Sequence, residues 1–185
     1  MTKTVFIIHG IYGTPEDNWQ PWLKRELGSM GLEVFVPQFP APEGHNLQNW
    51  LKVFEEYRKH IKTETIMIGH SMAPAFILSI LESLDSPVEA AFFVAPFVGP
   101  LNLELDGLNK TFTEKEFDWD KIKTNCNKFY IYSSDNDEYV PIEKGEFLAK
   151  KLNAVYKVVP NAGHFNKKAG YMEFQQLFDD IEKYI

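Results

Sequence analysis

The sequence predicts an α/β domain with a compact, six-stranded, mostly parallel sheet, helices on both faces and little or no cap. Short apolar runs alternate with longer amphipathic segments along the 185 residues. Several of the short runs, such as Val5 to Ile8, are apolar without interruption, which is typical of strands covered on both faces. No repeat and no linker divides the chain, so a single domain over residues 1–185 is expected.

The strands are predicted from short apolar runs separated by turn residues. They cover residues 4–9, 33–37, 65–69, 90–95, 128–133 and 154–159. Because strands of this kind alternate with helical segments, the chain is expected to wind right-handedly and to place helices on both faces of a parallel sheet.

The helices are predicted from apolar residues at helical spacing. They cover residues 18–31, 46–62, 72–84, 142–152 and 171–184. In the second of these, Trp50 and Phe54 fall on one face, as expected of a helix packed on a sheet.

The segment 97–118 does not follow this alternation. It contains Gly99 and Pro100, its periodicity is weak and its charges are mixed. It is predicted to be a long loop with room for one helical turn, and whether it forms a lid is left open.

Charge and cysteine content exclude several classes of protein. There are 19 basic and 26 acidic residues, giving a net charge of −7, whereas a nucleic-acid or anionic-membrane surface needs the opposite sign. The single cysteine, Cys126, allows no intrachain disulfide and is interpreted as an inert buried thiol. The apolar run near the N-terminus is too short for the core of a signal peptide. A cytoplasmic chain with no nucleic-acid or membrane partner is therefore expected.

The most informative motif runs from Gly69 to Ala73. It matches the G-x-S-x-G nucleophile elbow, with Ala73 in place of the last glycine, and it lies between a predicted strand and a predicted helix. Such a turn is crowded and needs small flanking residues, which Gly69 and Ala73 provide. Ser71 is therefore the candidate nucleophile.

A serine hydroxyl needs a neighbouring base that is itself oriented by a carboxylate. Asp135 and Asp137 follow the predicted strand 128–133, and His164 follows the strand 154–159. Because parallel strands end at one edge of a sheet, these side chains are expected to converge on Ser71. The residues alone leave both aspartates open for the carboxylate role.

The remaining site residues are predicted from backbone and loop positions. The N–H groups of Ile11 and Met72 are the candidate oxyanion donors. Tyr12 and Phe97 lie on loops expected to border the substrate. This chemistry needs no metal and no organic cofactor.

The remaining histidines are interpreted as structural or solvated. His70 neighbours Ser71 in a tight turn, where adjacent side chains point apart, so it is expected to be a structural hydrogen-bonding residue. His9 is expected to order its own loop, and His45 and His60 are interpreted as solvated.

Together these motifs resemble the α/β-hydrolase superfamily, and more narrowly the small serine hydrolases grouped with retinoblastoma-binding protein 9. The resemblance rests on residues 69–71, 119–126, 137–141 and 163–165. It implies a three-layer α/β-hydrolase fold, with Asp137 as the catalytic aspartate four residues before Pro141 and His164 as the histidine of Gly-His-Phe. Met72 and Ala73 depart from the family pattern, and no L-x-C-x-E sequence is present, so pocket-protein binding is not carried over.

The predicted function is that of a serine hydrolase with a Ser71-His164-Asp137 triad. It is expected to cleave a small carboxylic ester or amide through an acyl-enzyme and to favour an apolar acyl or alcohol group. The alternative is a non-catalytic protein-binding module on the same scaffold, because a fold does not guarantee its activity. The physiological substrate and the oligomeric state are left open.

Overall fold

The computed structural model describes residues 2–185, which form a six-stranded sheet. Its strands are β1 (Thr4–Ile8), β2 (Glu33–Phe35), β3 (Ile66–His70), β4 (Ala90–Val94), β5 (Phe129–Ser134) and β6 (Val155–Val159). The order is β2-β1-β3-β4-β5-β6, and each neighbouring pair is parallel. The predicted strands and the α/β class are confirmed.

Seven α-helices and two 3-10 helices accompany the sheet within residues 2–185. The α-helices are α1 (Gln20–Ser29), α2 (Leu47–Phe54), α3 (Ala73–Glu82), α4 (Asp106–Thr113), α5 (Trp119–Thr124), α6 (Ile142–Leu152) and α7 (Gln175–Glu182). The 3-10 helices are Glu55–His60 and Lys167–Ala169.

Two apolar layers lie on opposite faces of the sheet. Along β4, Phe93 packs in the layer that contains α2 to α6, whereas Phe92 packs in the layer that contains α1 and α7. This alternation follows from the two-residue period of a strand. Because both faces of the central strands are covered, the side chains of β1 and β4 are buried and apolar in nearly every position.

The topology places a crevice beside the carboxyl ends of β1 and β3. The chain leaves β1 toward α1 on one face and leaves β3 toward α3 on the other face. The two connections diverge, and ligands of open α/β sheets bind where such divergence occurs.

The prediction of a long loop over residues 97–118 is wrong in part, because α4 lies within it. This helix contains Gly107 and several residues of low helix propensity, so its sequence gives a weak local signal. Burial of Phe112 beside Trp50 and Phe76 stabilises it instead. The Asp106 carboxylate also accepts hydrogen bonds from the three backbone N–H groups of residues 101–103, which fixes the loop before the helix.

Three helix boundaries differ from the prediction for local reasons. Asn18 has a left-handed φ of 53°, so α1 begins only after it. Gly170, with a φ of 86°, ends the second 3-10 helix, and α7 begins five residues later. The segment predicted as one helix over 46–62 is α2 followed by the first 3-10 helix.

Cys126 is buried as expected. Its side chain hydrogen-bonds the Lys128 carbonyl, and burial raises the pKa of the thiol to about 12. The thiol therefore stays protonated, which agrees with an inert core residue. Among the helices of residues 2–185, none is long and apolar enough to cross a membrane.

Candidate active site

Ser71 lies on a strained turn between β3 and α3. Its φ is 63°, which is left-handed backbone, and its N–H donates to the Val94 carbonyl at 2.9 Å. A Cβ on Gly69 would lie 2.8 Å from Ile77 Cδ1 and 2.9 Å from the backbone nitrogen of Pro74, so no side chain fits there. The turn has the shape that a nucleophile elbow requires.

Three predicted side chains meet at the carboxyl edge of the sheet. His164 Nε2 lies 3.0 Å from Ser71 Oγ, and His164 Nδ1 lies 2.8 Å from Asp137 Oδ2. The side chains of His164 and Asp137 are only 10% and 2% exposed. With Nδ1–H donated to the carboxylate, Nε2 is free to accept the hydroxyl proton.

The carboxylate of Asp137 is fixed from its other side as well. Its Oδ1 accepts the backbone N–H groups of Tyr139 at 2.9 Å and Val140 at 3.1 Å. These bonds orient Oδ2 toward His164.

Asp135 lies elsewhere. Its side chain is at an exposed position, and its Oδ1 accepts the N–H of Asn161 at 2.7 Å. The structure therefore brings Asp137, and not Asp135, to the imidazole.

One residue of this network has no sequence signal. Asn136 Oδ1 accepts the N–H of Gly163 at 2.7 Å and the hydroxyl of Ser134 at 2.8 Å. It ties the loop after β5 to the loop that carries His164. An asparagine between two aspartates in a polar loop does not stand out until the second loop is placed beside it.

The loop after β1 packs directly on the nucleophile. A Cβ on Gly10 would lie 2.9 Å from Ser71 Cβ and 3.2 Å from the His70 carbonyl oxygen, so only glycine fits. Ile11 follows this contact and Met72 follows Ser71. Neither backbone N–H donates to an acceptor within residues 2–185, so both fit the requirement for oxyanion donors.

A cleft of about 370 Å³ opens beside Ser71 and His164. Tyr12 and Phe97 both line it, and Tyr12 is 49% exposed whereas Phe97 is buried. The segment predicted as a loop also supplies lining residues that the sequence analysis missed, namely Leu101, Leu103 and Leu105. Their regular spacing of two residues is a sequence pattern from which a shared apolar surface could have been predicted. Residues 97–109 therefore form one wall of the cleft.

His70 and His9 hold the loops around the site. His70 Nε2 lies 2.8 Å from the His164 carbonyl oxygen, and because a carbonyl only accepts, Nε2 carries the proton. His9 Nε2 accepts the N–H of Phe39 at 3.2 Å, so its Nδ1–H donates to the Gly10 carbonyl at 2.9 Å. Both residues are buried and act as the structural hydrogen-bonding groups that the sequence analysis expects.

Burial keeps these histidines neutral. The pKa of His70 is lowered to about 3. Burial is the largest cause, and the neighbouring His164 is the second. Burial also lowers the pKa of His9. At about pH 8 and above these side chains are therefore almost entirely neutral in both the folded and the unfolded chain.

The lowered pKa of His70 predicts loss of stability in acid. Between pH 6.5 and about 3 the unfolded chain binds a proton that the folded imidazole does not. The free energy of unfolding is therefore expected to fall as the pH falls, with His70 alone accounting for ~2 kcal/mol between pH 7 and pH 5. Urea unfolding at the two pH values measures this loss.

His70→Gln isolates the contribution, since its amide can still donate to the His164 carbonyl. The loss on acidification is expected to shrink by ~2 kcal/mol in this variant. An undiminished loss in His70→Gln would contradict the assignment.

Comparisons with known proteins identify the family of this chain. Residues 5–183 match the serine hydrolase family, and the chain therefore belongs to that family and is a hydrolase enzyme. YdeN of Bacillus subtilis (strain 168) is 27% identical over 184 residues, covering 100% of this chain and 97% of YdeN. The serine hydrolase RBBP9 of Rattus norvegicus is 26% identical over 160 residues, covering 86% of this chain and 82% of that protein.

Solved structures show the same fold. The crystal structure of the ydeN gene product from B. subtilis superposes with a TM-score of 0.92 at 28% identity, covering 99% of this chain and 98% of the other. The structure of Est1E from Butyrivibrio proteoclasticus with ferulic acid bound gives a TM-score of 0.73 at 16% identity, covering 97% and 90%. The predicted α/β-hydrolase fold and the resemblance to small serine hydrolases are confirmed.

Proposed function

We propose that this serine hydrolase cleaves small carboxylic esters or amides through an acyl-enzyme on Ser71. The observation that carries the proposal is the continuous chain of hydrogen bonds from Asp137 through His164 to Ser71, with heavy-atom distances of 2.8 and 3.0 Å. Such a chain supplies both the base and the group that orients the base.

In the first half-reaction, Ser71 Oγ attacks the acyl carbonyl while His164 Nε2 takes the hydroxyl proton. Asp137 remains ionised, holds Nδ1–H and stabilises the imidazolium that forms. The N–H groups of Ile11 and Met72 bind the oxyanion. The imidazolium then donates its proton to the leaving alcohol or amine, and the acyl group stays on the serine.

In the second half-reaction, water takes the place of the leaving group. His164 removes a proton from the water, which attacks the acyl carbonyl, and the proton returns to Ser71 as the acid is released. No step needs a metal or an organic cofactor.

The side chains of Phe97 and the three leucines at 101, 103 and 105 support an apolar acyl or alcohol group as the bound part of a small-molecule substrate. A single domain and a cytoplasmic location stay predictions from the sequence.

Rapid mixing with p-nitrophenyl butyrate tests the acyl-enzyme. When deacylation is the slower half-reaction, we expect a burst of p-nitrophenolate equal to about one equivalent of protein, followed by slower turnover. Aminoacyl p-nitroanilides extend the test to amides. Folded protein that turns over no ester and no amide would support the non-catalytic binding module instead.

A further inference from the structure

Two neighbouring buried side chains, Asn109 and His45, have polar atoms without hydrogen-bond partners, and Asn109 lines the cleft. Asn109, in α4, lines the cleft and is 2% exposed, and its Oδ1 has no partner within residues 2–185. His45 is 8% exposed, and neither of its ring nitrogens has a partner there. The expectation that His45 is solvated is therefore wrong.

His45 is buried because aromatic rings surround it. Its ring centroid lies 5.3 Å from that of Trp50 and 5.0 Å from that of Phe112. The Asn109 amide and the Pro40 carbonyl are near enough to raise its pKa, but the lowering by burial is larger, and neither group reaches hydrogen-bonding geometry. The imidazole is therefore neutral and keeps one donor and one acceptor.

Unpartnered buried polar groups are rare in folded proteins because they have lost their hydrogen bonds to water. Here one such atom belongs to Asn109, which lines a cleft to which the same segment otherwise presents apolar side chains, and the two nitrogens of His45 belong to a ring next to the Asn109 amide. A ligand group that enters the cleft and hydrogen-bonds to Asn109 would remove the energetic penalty of the missing hydrogen bond, which the free protein carries.

We propose that Asn109, with His45 behind it, is a specificity-determining residue that binds a hydroxyl group of the substrate. The inference rests on the proposed function, since it concerns the same cleft. The amide has an acceptor in its oxygen and donors in its nitrogen, and a hydroxyl both donates and accepts. A carboxylate fits less well, because the described residues that line the cleft include no lysine and no arginine. The preferred substrate therefore has an apolar stem that ends in a hydroxyl.

Matched pairs of substrates test the inference. In the acyl series, p-nitrophenyl hexanoate and phenylpropanoate are each compared with the counterpart that has a hydroxyl at the far end of the acyl group. In the alcohol series, phenethyl acetate is compared with its para-hydroxylated counterpart. For the wild type, kcat/KM is expected to be at least about 10-fold higher for the hydroxylated member in one of the two series.

Asn109→Leu removes the polar atoms and keeps the number and branching of the side-chain heavy atoms. It is expected to reduce the ratio between hydroxylated and plain substrate to about one, chiefly by lowering kcat/KM for the hydroxylated member. Asn109→Ala is the second variant, for use if leucine does not fit. Asn127→Leu, at an exposed position away from the cleft, is the matched control and keeps the wild-type ratio.

Three results separate the possibilities. A wild-type enzyme that hydrolyses the esters but shows ratios within about twofold in both series would overturn the inference and leave the proposed function standing. A wild-type preference that Asn109→Leu and Asn109→Ala both retain would also overturn it. A folded wild type that hydrolyses none of the esters would overturn the proposed function itself.

Discussion

Ser71→Ala is expected to lower kcat/KM for p-nitrophenyl esters by at least about 10⁴-fold. The methyl group cannot form the acyl-enzyme, and the base at His164 has no hydroxyl to deprotonate. Only binding and the oxyanion donors would remain to accelerate direct attack by water. Steady-state kinetics at pH 7 to 8, with circular dichroism to confirm folding, measures the effect.

Ser79→Ala is the matched control. Ser79 is buried in α3, and its hydroxyl donates to the Ala75 carbonyl at 3.2 Å, away from the cleft. Loss of the Ser79 hydroxyl should leave kcat/KM within about twofold of the wild type, since the surroundings of the reacting atoms are unchanged. If Ser71→Ala kept more than about one hundredth of the wild-type activity, another group would have to be the nucleophile.

Asp137→Asn is expected to lower kcat by roughly 10³- to 10⁴-fold. The amide cannot stabilise the imidazolium, and if its nitrogen faces His164 Nδ1 it selects the tautomer whose Nε2 carries a proton and cannot act as a base. The side chain is 2% exposed, so water does not replace the lost charge. KM is expected to change little, because Asp137 does not line the cleft.

Asp135→Asn separates this role from a general effect of acidic charge near the site. The asparagine oxygen can still accept the N–H of Asn161, so kcat should stay within about threefold of the wild type. Equal losses in the two variants would show that the loop after β5 acts through its overall charge or shape and not through one carboxylate.

Much of the fold follows from local sequence patterns. Uninterrupted apolar runs predict strands such as β4 because both faces of the sheet are covered, and the burial of all five of its residues agrees with that cause. The positions of Ser71 and His164 follow from the same rule, since both lie just beyond strands whose carboxyl ends meet at one edge of the sheet.

Local sequence patterns do not distinguish Asp135 from Asp137 as the catalytic carboxylate. Both residues follow the same strand, and both are common turn residues. The family resemblance favours Asp137. In the structure, the N–H groups of Tyr139 and Val140 hold its carboxylate toward His164, and that turn becomes visible only when the backbone is in place.

Other features depend on contacts between distant segments. The helix α4 has a weak local signal and is stabilised by Phe112, which packs on residues from α2 and α3. His45 has no apolar neighbour on either side in the sequence, yet aromatic rings from other segments bury it. Residues of this kind are identified from tertiary structure and not from sequence spacing.

We propose that the Ser71 hydroxyl, activated by His164, is the nucleophile. Reaction of the folded protein with a fluorophosphonate, followed by peptide mass spectrometry, tests this role, because the reagent needs an activated hydroxyl to form a stable adduct. We expect a single phosphonyl group on the peptide that contains Ser71 and no adduct on the Ser71→Ala variant. An unmodified wild type, or a phosphonyl group on a different residue, would contradict it.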